Sequence, residues 1–310
     1  MKSKSLKKLH LTLCKTLADP DATYSGHKGQ GYQLQVMETY TDSEDKQDKS
    51  KTLNLVTHVK VEKACDSDAQ ALIPAIESTQ KRGLGPNELE ADALYGSDDN
   101  HQTAGKMGVE LIAPVMGKSE KSPAGLSDFK FSNQGHVLTC PEGQKPLISK
   151  KKKTRFTQGF DCKTCQKCPL VNDCPVKPGK KYYYLRYDEK SFRVAKRRSN
   201  EQTSHFKNRY RWRAGVEATM SQLDRLTAVK RLRVRGFKAV RFSAILKVIG
   251  INLFRAVAVA MALHCHDTGN CSLKSTLNHA ICFIKEQVDR ILRPLSGTLS
   301  HAHVAIAIFL

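Results

Sequence analysis

The sequence predicts an α/β fold built on a mixed, partly parallel sheet with flanking helices. Apolar and polar residues alternate over 31–40 and again over 53–61, which is typical of strands with one buried face. Helical spacing of apolar residues follows over 68–82. A short strand that runs into a glycine turn over 88–96, a helix over 98–107 and a buried strand over 109–114 come next. This strand–helix succession favours parallel pairing, with the helices on the faces of the sheet.

Changes in composition divide the chain into five parts. Residues 1–30 are polar and end in a turn-rich stretch, and residues 31–115 hold the first part of the α/β domain. Residues 116–185 are rich in Lys, Gly, Pro and Cys and indicate a basic, Cys-rich insertion with a small fold of its own. Helical character returns over 186–263, while the tail over 264–310 has a mixed character to which we assign no structure.

Positive charge is concentrated in one third of the chain. The net charge is +21, and residues 142–241 hold 28 Lys and Arg against 8 Asp and Glu, which leaves +1 for all the rest. A field of one sign that is so localised favours a phosphate backbone as the partner. The alternative is a basic surface that is solvated and binds nothing.

The expected compartment is a reducing one. The basic residues 1–8 are followed by no apolar stretch of a signal peptide, and the apolar residues 242–263 are interrupted by Lys247 and Arg255. We therefore expect a buried helix there and no membrane partner. Ten cysteines in such a chain more often indicate metal binding or free thiols than disulfides.

Two acidic residues are candidates to bind a metal ion for catalysis. Asp92 comes where a predicted strand runs out, and ligands bind at the carboxyl ends of strands in open α/β sheets. Glu217 is one of few acids in the basic segment and lies on a helix that follows the sheet in sequence. Paired carboxylates at such a place coordinate Mg²⁺, which bridges phosphate oxygens. The alternatives are a helix or turn cap for Asp92 and an ion-pair partner for Glu217.

Several motifs in order resemble the insertion-sequence DDE transposases. They are Glu90-Ala-Asp-Ala-Leu-Tyr-Gly-Ser-Asp, Tyr210-Arg-Trp-Arg-Ala-Gly-Val-Glu-Ala-Thr followed by Lys230-Arg-Leu-Arg-Val-Arg-Gly, and Asp19-Pro-Asp-Ala-Thr-Tyr-Ser-Gly-His-Lys-Gly. The resemblance implies a ribonuclease H-like catalytic domain that cuts and rejoins DNA with two Mg²⁺ ions. Asp92 would be the second catalytic acid and Glu217 the third.

The same resemblance implies the partners and the location of the protein. The partners would be double-stranded DNA, as transposon ends and as target, and a second copy in a homodimer. The location would be the bacterial cytoplasm, in association with the nucleoid. The residues expected to contact DNA are all basic: Lys151, Lys152, Arg209, Arg211, Arg213, Lys230, Arg231, Arg233 and Arg235.

The chain departs from the family at the first catalytic acid. In these transposases that Asp lies on a central first strand, well upstream of the Asp-Pro-Asp stretch. Only 18 residues precede Asp19 here, and none of them is Asp or Glu. We therefore expect the first strand to be missing, as in a truncated copy. Asp19 and Asp21 are the candidates to replace the first catalytic acid. Unpaired edges on the two neighbouring strands would then make the chain prone to aggregation.

A run of cysteines indicates a zinc site. Cys162, Cys165, Cys168 and Cys174 supply four thiols within thirteen residues, and Cys140 upstream can replace one of them. The alternative is a set of reduced thiols in a variable insertion. Three functions thus stay open: a DDE transposase, a catalytically inactive DNA-binding remnant, and a zinc-bearing nucleic-acid-binding module.

Overall fold

The computed structural model describes residues 19–117, 124–268 and 303–309, and its main element is a mixed sheet. The strands of this sheet are β1 (Thr23–Ser25), β2 (Gly29–Thr39), β3 (Val56–Lys63), β4 (Glu88–Glu90), β5 (Glu110–Ile112) and β12 (His303–Phe309). Both β1 and β3 pair antiparallel with β2, and the order continues β2-β12-β4-β5. The strands β12, β4 and β5 are parallel to one another. The predicted α/β class with a mixed sheet is confirmed.

The central position of the sheet is filled from the C-terminal part of the chain. β12 pairs antiparallel with β2, with Val304 opposite Thr39, and parallel with β4, with Ala305 opposite Glu90. We expected β2 and β4 to keep unpaired edges, and that expectation was wrong because β12 lies between them. We assigned no structure to the tail over 264–310 from its sequence, but seven of its residues form β12. The N-terminal segment before Asp19 lies outside the described residues.

One face of the sheet is covered by α2 (Leu72–Gln80) and α3 (Asp98–Lys106). Their apolar residues pack with Met37, Leu89 and the buried ring of Tyr95 in one core cluster. α3 connects β4 to β5, and Ser97 caps its first turn by accepting from the amide of Asn100 at 3.1 Å. This unit is the strand–helix–strand crossover that the sequence predicts.

The other face is covered by α7 (Ala214–Thr227) and α8 (Phe237–Thr268). A second core cluster joins Leu34 and Val36 of β2 to apolar residues of both helices, among them Met220 and Val248. Within the described part of the chain, residues Phe237–Leu263 of α8 are the one helical stretch long and apolar enough to span a bilayer. Because a face of α8 packs into this core and Arg255 forms an ion pair with the sheet, we interpret α8 as a core helix.

The helices α1 (Lys46–Lys51), α5 (Glu189–Glu201) and α6 (Ser204–Tyr210) lie in the connections. α1 lies in the charged stretch between β2 and β3, and Asp45 caps it by accepting from the amide of Gln47 at 2.9 Å. A turn of 3₁₀ helix, Arg211–Arg213, joins α6 to α7 and carries the start of the basic motif.

The Cys-rich segment has its own sheets and core. β6 (Lys130–Phe131) pairs with β7 (Val137–Thr139), and a second sheet has the order β10 (Lys177–Pro178), β11 (Tyr183–Asp188), β9 (Arg155–Phe160), β8 (Ile148–Lys152). The short helix α4 (Cys162–Gln166) follows β9. The rings of Phe156 and Tyr187 stack with centroids 5.0 Å apart in a core separate from the other two.

Candidate active site

Asp92 lies two residues beyond the end of β4, at the carboxyl edge of the parallel strands. Its Oδ1 accepts from the amide of Ala93 at 3.0 Å, so the residue caps the short 3₁₀ turn Ala93–Tyr95. Its side chain is still half exposed. Asp92 thus has the capping role that we gave as its alternative, and it also presents an oxygen to solvent.

Glu217 lies in the first turn of α7 and is exposed. The helix is fixed to the sheet by the buried side chains of Val216, Met220 and Leu223, whereas Glu217 is exposed. A rigid helix therefore carries this carboxylate, which suits a residue that has to hold a ligand in place.

Arg213 connects the two acids. Its Nη2 is 2.8 Å from Oε1 of Glu217, and its Nη1 is 3.8 Å from Oδ2 of Asp92. Burial lowers the pKa of the Arg213 guanidinium, but the neighbouring Tyr210 hydroxyl and the Asp92 and Glu217 carboxylates raise it overall. The structure thus brings together the two acids that the sequence singled out, with a cation between them.

A buried polar cluster connects α7 to β2 and α8. Glu38 of β2 accepts from the hydroxyl of Thr219 at 2.7 Å and forms an ion pair with Arg255 of α8 at 2.9 Å. Burial raises the pKa of Glu38, while the Arg255 charge lowers it. Sequence reasoning missed this cluster, although Glu38 stands out as an acid on the apolar face that Leu34 and Val36 begin.

Glu90 is a second carboxylate that sequence reasoning missed. It lies on β4 two residues before Asp92, is fully buried, and accepts from the hydroxyl of Tyr40 at 2.8 Å. Its Oε2 has no hydrogen-bond partner in the structure as described. Burial raises the pKa of Glu90 to about 7. The sequence does single out Glu90, because it is the first residue of the motif that contains Asp92.

Arg209 is occupied by structural ion pairs. Its guanidinium contacts Glu88 of β4 and lies 2.8 Å from Glu110 of β5. The Glu110 carboxylate, which accepts its hydrogen bonds, is the main reason that the pKa of Arg209 is raised, and burial opposes it. Arg209 therefore ties α6 to the sheet, and a role in DNA binding stays a prediction.

The other residues expected to contact DNA, beyond Arg209 and Arg213, all lie at the surface. Lys151 lies 2.8 Å from Glu189, and Arg211 pairs with Glu44 and lies over the Trp212 ring, 4.8 Å from its centroid. The remaining members of the set are exposed: Lys152, Lys230, Arg231, Arg233 and Arg235. The last three belong to the turn between α7 and α8, which follows the C-terminal end of α7, whereas Glu217 lies in the first turn of that helix.

Asp19 and Asp21 lie at the start of α8. Asp19 accepts from the amide of Gly236 at 3.0 Å and from the hydroxyl of Tyr32 at 2.9 Å, and Asp21 accepts from the amide of Phe237 at 3.0 Å. Burial has the largest single effect on the Asp19 carboxyl and raises its pKa, but the hydrogen bonds from Gly236, Tyr32 and nearby amides together lower the pKa overall. These contacts give both residues a capping role.

The structure brings together a different set of cysteines from the set that their spacing in the sequence predicts. Cys140, Cys165, Cys168 and Cys174 line one pocket, whereas Cys162 does not. Burial, with smaller contributions from the other three thiols, raises the pKa of Cys165 to about 11. Among residues 19–117, 124–268 and 303–309, no group of three or more His, Cys, Asp or Glu side chains is arranged to hold a metal ion.

The carboxylate pair fits a hard divalent cation by its chemistry. Asp92 and Glu217 supply oxygen donors, which Mg²⁺ prefers, and a guanidinium already lies between them. Among the described residues, this pair alone is an incomplete ligand set for a two-metal site.

Residues 139–257 match a family model described as the transposase DDE domain. The matched range includes Glu217, Arg213 and the cysteines of the pocket, and it begins after Asp92. No curated protein and no solved structure matches the chain. The family match and the ordered motifs agree, and residues 139–257 are similar to the transposase DDE domain.

Proposed function

We propose that the chain cleaves DNA and transfers strands by metal-assisted phosphoryl transfer, as a DDE-type transposase. The observation that carries the proposal is the convergence of Asp92 and Glu217 on Arg213, at the edge of the sheet where parallel strands end. Convergent acids beside exposed basic residues suit a substrate that is a polyanion and needs a divalent cation.

A ribonuclease H-like domain is the fold that we propose for the residues around this pair. The support is the strand between β2 and β4, which is antiparallel to one neighbour and parallel to the other. The motifs imply a central strand that pairs on both sides, and β12 occupies such a position. Helices cover both faces of the sheet, as this fold requires.

In the proposed mechanism, Asp92 and Glu217 would hold Mg²⁺, and the ion would supply stabilisation of the entering and leaving oxygens of the phosphodiester. α7 fixes the orientation of Glu217, and the Thr219–Glu38–Arg255 cluster anchors α7 to β2. Arg213 neutralises the Asp92 and Glu217 carboxylates when no metal ion is bound. When a metal ion neutralises these carboxylates instead, the Arg213 guanidinium would be able to contact a phosphate.

Exposed basic residues between α7 and α8 would bind the DNA backbone. Arg231, Arg233 and Arg235 follow one another at alternate positions and are all exposed. Contacts of this kind are with phosphates, so affinity should fall steeply with salt and vary little with sequence.

A DNA-binding remnant without catalysis is the second candidate. It is favoured by the sequence of β12, because the strand that lies between β2 and β4 has Ala305 opposite both Glu38 and Glu90 and contains no acid. A two-metal site needs further ligands held within a fraction of an ångström.

Plasmid nicking in Mg²⁺ or Mn²⁺ distinguishes the two candidates. Asp92→Asn and Glu217→Gln should each lower the rate by at least about 100-fold while DNA affinity is kept or raised. Asp224→Asn is the control, since Asp224 lies on the same helix but accepts from the amide of Lys230. A parent chain that binds DNA without any nicking would support the remnant, and full activity in both variants would show that the acids are wrongly assigned.

A further inference from the structure

We propose that Cys140, Cys165, Cys168 and Cys174 together bind one Zn²⁺ ion, and that Cys162 is not a ligand. The proposal concerns the Cys-rich segment and is independent of catalysis at Asp92 and Glu217. It selects one set of four from the five cysteines that the sequence leaves as candidates.

The first support is the grouping of the thiols. All four line one pocket of about 440 Å³ together with Phe160 and Val176, and the sulfur ligands come from separate elements. Cys140 follows β7, Cys165 lies on α4, and the other two lie in the loop after α4. Cys162 is the first residue of α4, three positions before Cys165, and it is absent from the pocket lining.

The second support is the turn that carries Cys140. In the segment Cys140-Pro-Glu-Gly143, the amide of Gly143 donates to the carbonyl of Cys140 at 2.9 Å, and Gly143 has a φ of +79° that favours glycine. The turn directs the amide of Gln144 at Sγ of Cys140, at 3.3 Å. A backbone donor aimed at sulfur stabilises a thiolate more than a thiol, so the turn suits a metal ligand.

A similar contact is present at Cys174, where the backbone N–H of Val176 donates to the sulfur. Two of the four sulfurs therefore receive amide hydrogen bonds from residues two to four positions later. Such contacts orient the ligand and tune its basicity in metal sites.

The charge of the pocket also suits a thiolate cluster. Binding would release the four thiol protons to solvent, and a Zn²⁺ ion with four thiolates carries a net charge of −2. Lys163 and Lys167 line the same pocket and would offset part of that charge, against the one carboxylate of Glu142.

Some of the sulfurs must move to close on the ion, because the described side chains are not arranged to hold a metal. A cysteine side chain has a single rotatable bond with three staggered positions, so a sulfur can change its position while the backbone stays in place. Zinc with sulfur ligands is tetrahedral with bonds of about 2.3 Å. The bound ion would join the β7 turn to α4 and the following loop, next to the core residues Phe160 and Val176.

The test is zinc content and cobalt spectroscopy of the full chain, purified under reducing conditions without chelator. The parent and Cys162→Ser should hold about one Zn²⁺ per chain, and Cys140→Ser and Cys165→Ser should lose it. Co²⁺ added to the metal-free parent should give the absorption of a tetrahedral sulfur site, which does not depend on the folding of a variant. No zinc and no cobalt signal in the parent would overturn the proposal, and so would zinc that is lost in Cys162→Ser but kept in Cys140→Ser.

Discussion

Replacement of Glu90 by Gln should stabilise the protein above pH 7 and destabilise it near pH 4.5, where the cost of the unpaired Gln amide is not offset. Glu90 is fully buried, and burial raises its pKa from 4.5 to about 7. The folded state therefore binds a proton that the unfolded state has released between these pH values. The stability that Glu90 contributes is fully present below pH 4.5 and is lost as the pH rises through 7.

The magnitude follows from the size of the shift. A rise from 4.5 to about 7 corresponds to about 3 kcal/mol at most, at about 1.4 kcal/mol for each pKa unit. Gln keeps an acceptor for the Tyr40 hydroxyl but places an amide where Oε2 has no partner, which costs about 1–2 kcal/mol. The expected net gain for Glu90→Gln at pH 8.5 is about 1–2 kcal/mol.

Urea unfolding of the parent and the variant at pH 4.5 and pH 8.5 measures this effect. Glu77→Gln is the control for the chemical replacement, since Glu77 is an exposed carboxylate on α2. The free energy of unfolding of Glu90→Gln, relative to that of the parent, should be higher at pH 8.5 than at pH 4.5. An equal difference at the two pH values would refute the reasoning, because it would mean that Glu90 does not titrate abnormally in the folded state.

Three further predictions concern arginines. Arg213→Gln removes the cation between Asp92 and Glu217, so Mn²⁺ should bind several-fold more tightly in calorimetry; unchanged or weaker binding would contradict the proposed site. Arg255→Met leaves Glu38 buried without its charged partner and should lower the free energy of unfolding by about 3 kcal/mol, and a second change, Glu38→Gln, should restore much of the loss. Arg233→Ala should reduce the salt dependence of DNA binding by about one unit in slope, and an unchanged slope would place DNA on another surface.

The strands and helices around the carboxylate pair could be predicted because their signals are local. The alternation of Leu34 and Val36 with polar residues predicted β2, and the motif around Glu217 predicted a helix that holds a carboxylate. The role of Arg209 could not be predicted, because its partners Glu88 and Glu110 lie on two strands about 100 residues earlier. A basic residue in a basic segment has the same local signal whether it contacts DNA or an acid in the fold.

The cysteines illustrate the same limit. Spacing in sequence places Cys162 with Cys165, but a residue three positions away on a short helix need not face the same pocket. Cys140 reaches the pocket only because β6 and β7 pair and the chain turns back after β7. Sequence therefore limits the ligands to five candidates, and tertiary structure is needed to choose four.

The strand β12 has a consequence for the order in which the sheet forms. β2 pairs with β3 across about 18 residues, from Glu38 to Val56, but with β12 across about 265 residues, from Thr39 to Val304. Closure of the longer loop costs about 2 kcal/mol more in chain entropy, so the hairpin should form first and the central strand late. Until β12 enters, the facing edges of β2 and β4 are open to strands of other chains. Refolding should therefore be slow and sensitive to protein concentration, even though the finished sheet has no gap at its centre.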